Sequence, residues 1–101
     1  MLIYNTTYQI DIDDARNFVI WLHEAYIPTV SADGRLTNPR LTRILSHKDQ
    51  NSECFSLQWE VADSATLHRW HVAQGVALND EIMKTFKDKV VGFPTLMEVI
   101  E

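Results

Sequence analysis

The spacing of the apolar residues changes several times along this chain, and that change is the strongest constraint on its fold. In residues 2–10 Leu2, Tyr4, Thr6, Tyr8 and Ile10 share one face of an alternating pattern, as in a β-strand. The apolar residues then recur every three or four positions, as in an amphipathic helix. Two further alternating segments, another helical region and a last strand follow. The pattern predicts the order strand, helix, strand, strand, helix, strand.

Polar and turn-forming residues set the predicted limits of the first helix. Asp11 is placed to cap it, and Pro28 is expected to end or kink it. Its apolar stripe contains Ala15, Phe18, Val19, Leu22, Ala25 and Tyr26. A connection is expected over residues 28–39, because Asp33-Gly34 and Asn38-Pro39 are turn signals. The pattern also allows a short extra helical turn before Gly34.

The middle of the chain predicts an antiparallel hairpin. Its strands are residues 41–47 and 53–61, and the segment between them is wholly polar. The second of these strands alternates clearly, so one face is expected to enter the core. That face carries Phe55, Leu57, Trp59 and Val61.

The last part of the chain predicts helix and then strand. A helical region is expected to start at Asp63 or Ser64, with Gly75 as a weak point or break. Asn79 is placed to cap a further helix, which Gly92 would end. The remaining residues 93–100 are predicted to form the last strand.

This order of elements predicts an α+β fold of the ferredoxin-like type in a single domain over residues 1–101. Two strand–helix–strand crossovers joined by a hairpin give an antiparallel sheet of order 4-1-3-2 with both helices on one face. The other face is then open, and its expected members are Ile3, Asn5, Thr7, Arg43, Ser56, Gln58, Glu60 and Glu98. This face could meet solvent, a second subunit, or a pocket between two sheets.

Two observations bear on how that open face is used. Ile20 and Trp21 lie off the apolar stripe of the first helix, which favours a homodimer because exposed apolar patches often mark interfaces. Arg43 and Glu60 are expected to form an ordinary ion pair between neighbouring strands.

Composition excludes several classes of protein. The chain is 46% hydrophobic and 23% charged, which is typical of a globular domain rather than a disordered chain. Its net charge of −5 argues against nucleic-acid binding. A single cysteine rules out an internal disulfide, and no apolar run approaches the length of a membrane span. We therefore expect a cytoplasmic protein with no membrane segment and no signal peptide.

The segment from Trp59 to Trp70 resembles the strand–cap–helix passage of the dimeric α/β-barrel superfamily. That superfamily includes the antibiotic-biosynthesis monooxygenases and the haem-degrading monooxygenases. The resemblance implies subunits paired sheet to sheet and a ligand held between sheet and helices. The whole chain also resembles a small uncharacterised family, a domain of unknown function typical of Bacteroides-like bacteria, which implies no activity.

The residues of haem-degrading members are matched only in part. The resemblance assigns their first-strand asparagine to Asn5 and their second-helix tryptophan to Trp70. Their histidine, ten residues beyond that tryptophan, corresponds here to Asp80. The haem ligand is therefore missing unless His68 or His71 replaces it, whereas monooxygenation without a cofactor remains compatible with the sequence.

His68 and His71 lie three residues apart, so they share one side of the second helix. Two imidazoles at that spacing can bind a metal ion, but a structural zinc site needs four ligands and no further set completes one. We predict no metal and interpret the pair as surface or pocket-edge residues. Cys54 lies opposite the core face of its strand without an activating partner in the sequence.

The other polar candidates are expected on the open sheet face. There Asn5, Arg43, Gln58 and Glu98 could converge to orient a small polar ligand, or could form a solvated face or a dimer seam. The three tryptophans and three tyrosines suit a pocket for a flat ligand, although packing is the commoner explanation for Trp59 and Trp70, which lie on predicted core faces.

Two hypotheses follow from these patterns. The first is a homodimeric small-molecule-binding barrel or cofactor-independent monooxygenase-like enzyme. Its predicted ligand-binding residues are Asn5, Arg43, Gln58, His68, Trp70 and His71. The alternative is a non-catalytic dimeric interaction or regulatory module, in which the open face is only an interface. Neither hypothesis calls for a cofactor.

Overall fold

The computed structural model describes all 101 residues, and its elements follow the predicted order. The strands are β1 (Leu2–Asp11), β2 (Thr37–Arg43), β3 (Ser52–Val61) and β4 (Val90–Glu98). Helix α1 covers residues 15–33 and helix α2 covers residues 64–86. Short 3-10 turns, Ile12–Asp14 and Lys87–Lys89, precede α1 and follow α2.

The four strands form one antiparallel sheet in the order β2-β3-β1-β4. This is the predicted order 4-1-3-2 read from the opposite edge, and the ferredoxin-like α+β fold is confirmed. In the centre of the sheet, Tyr4 lies opposite Trp59 on one side and Leu96 on the other. Strands β2 and β4 are the two edges.

The core lies between the helices and one face of the sheet. As the alternation in β3 predicts, Phe55, Leu57, Trp59 and Val61 are all buried there. The helices bury a row of side chains against them, comprising Ala15, Phe18, Leu22, Tyr26 and Val30 from α1 and Trp70, Leu78, Ile82 and Phe86 from α2. We refer to this side of the sheet as the helix face, and to the other side as the open face.

Helix α1 does not end at Pro28, which was expected to end or kink it, and it extends into the predicted connection. A wide π-helical turn, Leu22–Tyr26, precedes the proline, and the N–H of Ile27 donates to the carbonyl of Leu22. The regular segment Ile27–Asp33 then restarts with the proline in its first turn, where a missing N–H is tolerated. The helix ends at Gly34, whose φ of 86° is the left-handed conformation that favours glycine.

Helix α2 is likewise continuous, so the predicted break at Gly75 and separate helix from Asn79 are wrong. A second π-helical turn, His71–Gly75, absorbs the glycine. The helix ends at Phe86, and Lys87 reverses the chain with a φ of 55°. Gly92 lies inside β4 rather than at the end of a helix.

The first hairpin strand is displaced from its predicted limits. Strand β2 covers Thr37–Arg43 instead of residues 41–47, and its pairing with β3 is irregular between Thr37 and Arg40. Asn38 has a φ of 52° there, and its side-chain amide donates to Glu60 Oε1 at 3.0 Å. The turn chemistry of Asn38-Pro39 thus forms a bulge within the strand instead of a loop before it.

The strand register moves two residues off the open face on which they were predicted. Arg43 lies opposite Phe55, and Glu98 lies opposite Leu2, so both belong to the helix face. The guanidinium of Arg43 is 5.5 Å from the centre of the Phe55 ring. The Arg43–Glu60 ion pair is also wrong, since Arg43 Nε pairs with Glu53 Oε1 at 3.6 Å.

The open face has a polar centre and an apolar margin. The centre contains Asn5, Thr7, Ser56 and Gln58, which are paired across β1 and β3. The margin is formed by Ile3 and the β4 side chains of the same face, namely Val91, Phe93 and Met97, all three of them exposed.

Trp21 does not belong to any exposed apolar surface, contrary to the expectation from its position off the stripe. Its ring packs within the chain against Tyr26 and Phe86, at centroid distances of 5.7 and 6.2 Å. Ile20 remains exposed. No helix of the structure combines the length and the apolar character needed to cross a membrane.

Candidate ligand-binding site

A cavity of about 450 Å³ lies between α2 and the helix face of β1 and β4. It exists because β4 carries small or compact side chains where the helix passes over it. Gly92 lies opposite Tyr8, and a Cβ at this position would be 3.3 Å from Tyr8 Cε1. Pro94 lies opposite Thr6 and also lines the cavity. No large side chain from β4 fills the space that α2 leaves open.

One wall of the cavity is the ring of Trp70, packed at 6.0 Å from the ring of Tyr4. Trp70 is buried, and its Nε1 donates to Gln74 Oε1 at 3.0 Å, which holds the indole in one orientation. The absence of a side chain at Gly75 makes this wall possible. A Cβ there would lie 2.9 Å from His71 Nδ1 and 3.0 Å from Trp70 Cζ3.

Tyr8 and Tyr26 form the buried end of the cavity, with exposed fractions of 5% and 6%. Their rings are held by edge-on or tilted aromatic contacts, Tyr8 with Phe18 at 5.0 Å and Tyr26 with Trp21 at 5.7 Å. Burial raises the pKa of Tyr8 to about 12 and raises the pKa of Tyr26 further still. Both phenols therefore keep their protons at neutral pH and can donate hydrogen bonds.

The cavity has no acidic or strongly basic side chain in its lining. None of the residues that line it is Asp, Glu, Lys or Arg. His71 lies at the exposed rim with Asn79 and Met83, all from α2.

The structure brings together only two of the six residues predicted to bind a ligand. Trp70 and His71 both line the cavity. Asn5 and Gln58 lie on the open face, opposite each other in the β1–β3 register. There Asn5 accepts a hydrogen bond from Ser56 and donates one to Thr7 Oγ1 at 3.1 Å, so it belongs to a seam between strands.

The other two predicted residues lie away from the cavity. Arg43 is at the β2 edge of the sheet, and His68 is an exposed residue of α2 outside the cavity lining. Since Asn5 and Trp70 lie on opposite sides of the sheet, the residues that resemble those of haem-degrading enzymes do not meet in one site. No group of three or more His, Cys, Asp or Glu side chains is placed to hold a metal ion.

The sequence placed Tyr8 and Tyr26 among the aromatic residues suited to a pocket, but not among the six residues predicted to bind the ligand. Tyr8 shares the alternating face of β1 with Tyr4 and Thr6. Tyr26 was also assigned to the apolar stripe of α1. Its contact with the cavity depends on how α1 crosses the sheet, which no local pattern encodes.

A second polar cluster surrounds Ser52 but does not form a nucleophilic site. Ser52 Oγ donates to Asp49 Oδ2 at 3.0 Å and accepts from Gln9 Nε2 at 3.2 Å. With its only proton used, it must accept from His47 Nε2 at 2.9 Å, the reverse of a serine–base pair. Burial, followed by the charge of Asp49, raises the pKa of the nearby Cys54 thiol. The cluster anchors the β2–β3 loop.

Residues 1–100 match the family described as Domain of unknown function (DUF4286). The chain belongs to this family. No curated protein matches the sequence significantly.

Solved structures that resemble the DUF4286 chain share its fold along nearly its whole length. A candidate antibiotic biosynthesis monooxygenase from Deinococcus radiodurans has a TM-score of 0.71 at 16% identity, over 100% of this chain and 94% of that one. A dimeric ferredoxin-like protein from an uncultured marine organism has a TM-score of 0.69 at 11% identity, over 100% of this chain and 96% of that one. SnoaB, a cofactor-independent oxygenase from Streptomyces nogalater, has a TM-score of 0.58 at 10% identity, over 98% of this chain and 94% of that one. At these identities the likeness concerns the fold alone.

Proposed function

We propose that this DUF4286 protein binds a small molecule in the cavity between α2 and the sheet, and that it does so as a homodimer. The observation that carries the proposal is the cavity itself. Its volume of about 450 Å³ lies within the range of roughly 300–1,000 Å³ that is typical of ligand sites. It joins aromatic walls to a few polar groups at a buried end, the usual composition of such sites.

The proposed dimer is joined through the open face of the sheet. The two edge strands each contain a proline, Pro39 in β2 and Pro94 in β4. A proline in an edge strand has no N–H to donate on the side that faces solvent. A strand from a second subunit therefore pairs poorly with that edge. The apolar margin at Ile3, Phe93 and Met97 favours association through the face instead. The dimeric ferredoxin-like structures support this arrangement by analogy of fold.

Within this proposal, the finer assignment is an enzyme that acts without a cofactor. SnoaB supports it only as a structure of the same fold that is described as a cofactor-independent oxygenase. Trp70 would contact the ligand and His71 would exchange a proton with it at the rim. We place this enzyme in the bacterial cytoplasm, as the sequence led us to expect.

A second candidate is a non-catalytic interaction module. It is favoured by the exposed side chains of β4, because these suit an interface whether or not the cavity is occupied. The two candidates differ in one respect. Blocking the cavity abolishes the function in the first and leaves it intact in the second.

The test uses N-phenyl-1-naphthylamine, an uncharged dye that fluoresces in apolar sites, with Asn79→Trp as the blocking variant. Asn79 lines the rim of the cavity, whereas Ala77 is exposed on the same helix outside the lining. We expect Asn79→Trp to weaken dye binding at least tenfold and the matched control Ala77→Trp to leave it unchanged. Equal binding by both variants, or no binding by the wild type, would contradict the proposal.

Native mass spectrometry of protein purified gently from its own host provides the second readout. A dimer that carries a reproducible extra mass, lost in Asn79→Trp, supports an occupied cavity. A dimer without extra mass, combined with no dye binding, favours the interaction module. A monomer contradicts the dimer that both candidates assume.

A further inference from the structure

We propose that Tyr8, Tyr26 and Thr6 act together to select the ligand, and that they admit an uncharged molecule with an acceptor oxygen on a flat apolar body. We call these three residues the hydroxyl cluster. The inference rests on the proposed function, since it names the chemical class that the cavity would take. It assigns specificity to residues on two separate elements, β1 and α1.

The first step is the cost of placing a charge in this cavity. A buried carboxylate or ammonium group is costly to desolvate unless a partner of opposite charge meets it. No Asp, Glu, Lys or Arg side chain lines the cavity to supply one. The His71 imidazole is exposed at the rim, whereas Tyr8 and Tyr26 are buried. It therefore does not pair with a charge at the buried end of the cavity. The buried end therefore excludes charged groups of either sign.

The second step is a count of protons in the hydroxyl cluster. Tyr8, Tyr26 and Thr6 all line the cavity, and each side chain contributes one hydroxyl group. Three hydroxyls carry three protons, and a chain of two hydrogen bonds among them uses only two. At least one O–H therefore remains free to donate. Both tyrosines are more than nine-tenths buried and line the cavity, so this free donor meets whatever occupies it.

The third step is what such a donor prefers as a partner. Burial keeps both phenols protonated, because the pKa of Tyr8 is about 12 and that of Tyr26 is also raised. A buried donor without an acceptor is unfavourable, so the cluster disfavours a purely hydrocarbon ligand. A carbonyl oxygen satisfies the donor without introducing a charge. The ring of Trp70 beside Tyr4 supplies the flat apolar wall for the rest of the molecule.

Three naphthalene probes with the same ring test this selection by displacement of N-phenyl-1-naphthylamine. They are 2-acetylnaphthalene, which carries a neutral carbonyl, 2-naphthoate, which carries a charge, and 2-ethylnaphthalene, which has no oxygen. We expect the ketone to bind at least tenfold more tightly than the carboxylate. We expect it to bind about fivefold more tightly than the hydrocarbon, the ratio that one neutral hydrogen bond provides.

The double variant Tyr8→Phe/Tyr26→Phe removes the donors and keeps both rings. It should lower the affinity for the ketone about fivefold and leave that for the hydrocarbon unchanged. Thr29→Val is the control, because it removes the hydroxyl of an exposed α1 residue that does not line the cavity. Circular dichroism verifies that each variant is folded, and Thr6→Val replaces the double variant if that one is not.

The outcomes separate this inference from the proposed function. Suppose that the dye binds in the cavity but the carboxylate binds as tightly as the ketone, or that the double variant binds the ketone as tightly as the wild type does. Either result would show that the hydroxyl cluster does not select the ligand, while the proposed binding site would remain supported. A loss in Thr29→Val as large as that in the double variant also overturns the assignment. If neither the dye nor any probe binds, the proposed function itself fails.

Discussion

Single residues with little or no side chain create the cavity. Gly92 allows the ring of Tyr8 to lie against β4, and Gly75 allows the ring of Trp70 and the imidazole of His71 to lie against the backbone of α2. Larger residues would have to move these rings towards the cavity or fill it directly. The shape of the site therefore depends on two glycines that a search for polar site residues would pass over.

Another residue-scale contact, the cap of α2 at Asp63, makes the stability depend on pH. Asp63 Oδ1 accepts the backbone N–H of Thr66 at 2.8 Å, and this hydrogen bond lowers the pKa of Asp63 below its usual value of 3.8. Because the pKa of Asp63 is lower in the folded state, its charged form stabilises the fold at a pH above the pKa of the unfolded state. This stabilisation is lost as the pH falls through the pKa of the folded state. Asparagine at the same position also caps a helix but does not titrate.

We therefore expect the urea midpoint of the wild type to fall more steeply below pH 4 than that of Asp63→Asn. Unfolding curves followed by circular dichroism between pH 6 and pH 2.5 measure this difference. Parallel curves for the two proteins would show that the cap contributes nothing to acid unfolding.

At the scale of elements, both helices use a wide turn to keep their buried residues in line. In α1, Phe18, Leu22, Tyr26 and Val30 are buried at a strict spacing of four. In a regular α-helix this spacing drifts by about 40° at each step. The π-helical turn Leu22–Tyr26 holds more residues per turn and reduces the drift. The turn His71–Gly75 occupies the same place in α2, between Trp70 and Leu78.

The continuation of α1 beyond Pro28 can be tested at Val30, which is fully buried. Val30→Ala should lower the free energy of unfolding by about 2 kcal/mol, because it removes two methyl groups from the core and leaves a cavity. Its neighbour Ser31 is exposed, so Ser31→Ala should change stability by less than about 0.5 kcal/mol. Urea denaturation measures both. Similar small effects would mean that the helix does not pack onto the sheet after the proline.

At the scale of the whole molecule, the proposed function assigns different roles to the two faces of the sheet. The cavity lies on the helix face, and the proposed dimer forms through the open face. Ligand binding and dimer formation then need not compete, because the sheet separates them. This differs from the sequence-based view, in which the polar residues of the open face contributed to the pocket.

Phe93 tests the dimer because it is an exposed aromatic residue of the open face, with an exposed fraction of 53% in the single chain. Phe93→Asp would bury an unpaired carboxylate in the interface and should shift the protein to a monomer at micromolar concentration. Leu45→Asp makes a similar change at a loop residue that is 86% exposed and outside the sheet.

Sedimentation velocity measures both variants. The control should stay a dimer, and the unfolding midpoint of the wild type should rise with protein concentration while that of Phe93→Asp does not. A Phe93→Asp dimer as stable as the wild type would place the interface elsewhere.

The sequence by itself determined the order of the elements, the order of the strands and the buried face of β3. These depend on local periodicity and on the few right-handed connections that such an order allows. Only the tertiary structure decided which residues form the site. A strand register that differs by one residue exchanges the faces of a sheet, and for this reason Arg43 and Glu98 were assigned to the wrong side.

The same limit applies to residues that are far apart in the sequence. Tyr8 and Tyr26 meet at the buried end of the cavity because α1 crosses the sheet at one particular place. Asn5 and Trp70 are separated because β1 turns Asn5 to the open face, whereas Trp70 belongs to α2 on the helix face. Periodicity shows that a side chain is buried, but not against which partner. The packing of helices on the sheet decides that, because it alone brings distant segments of the chain together.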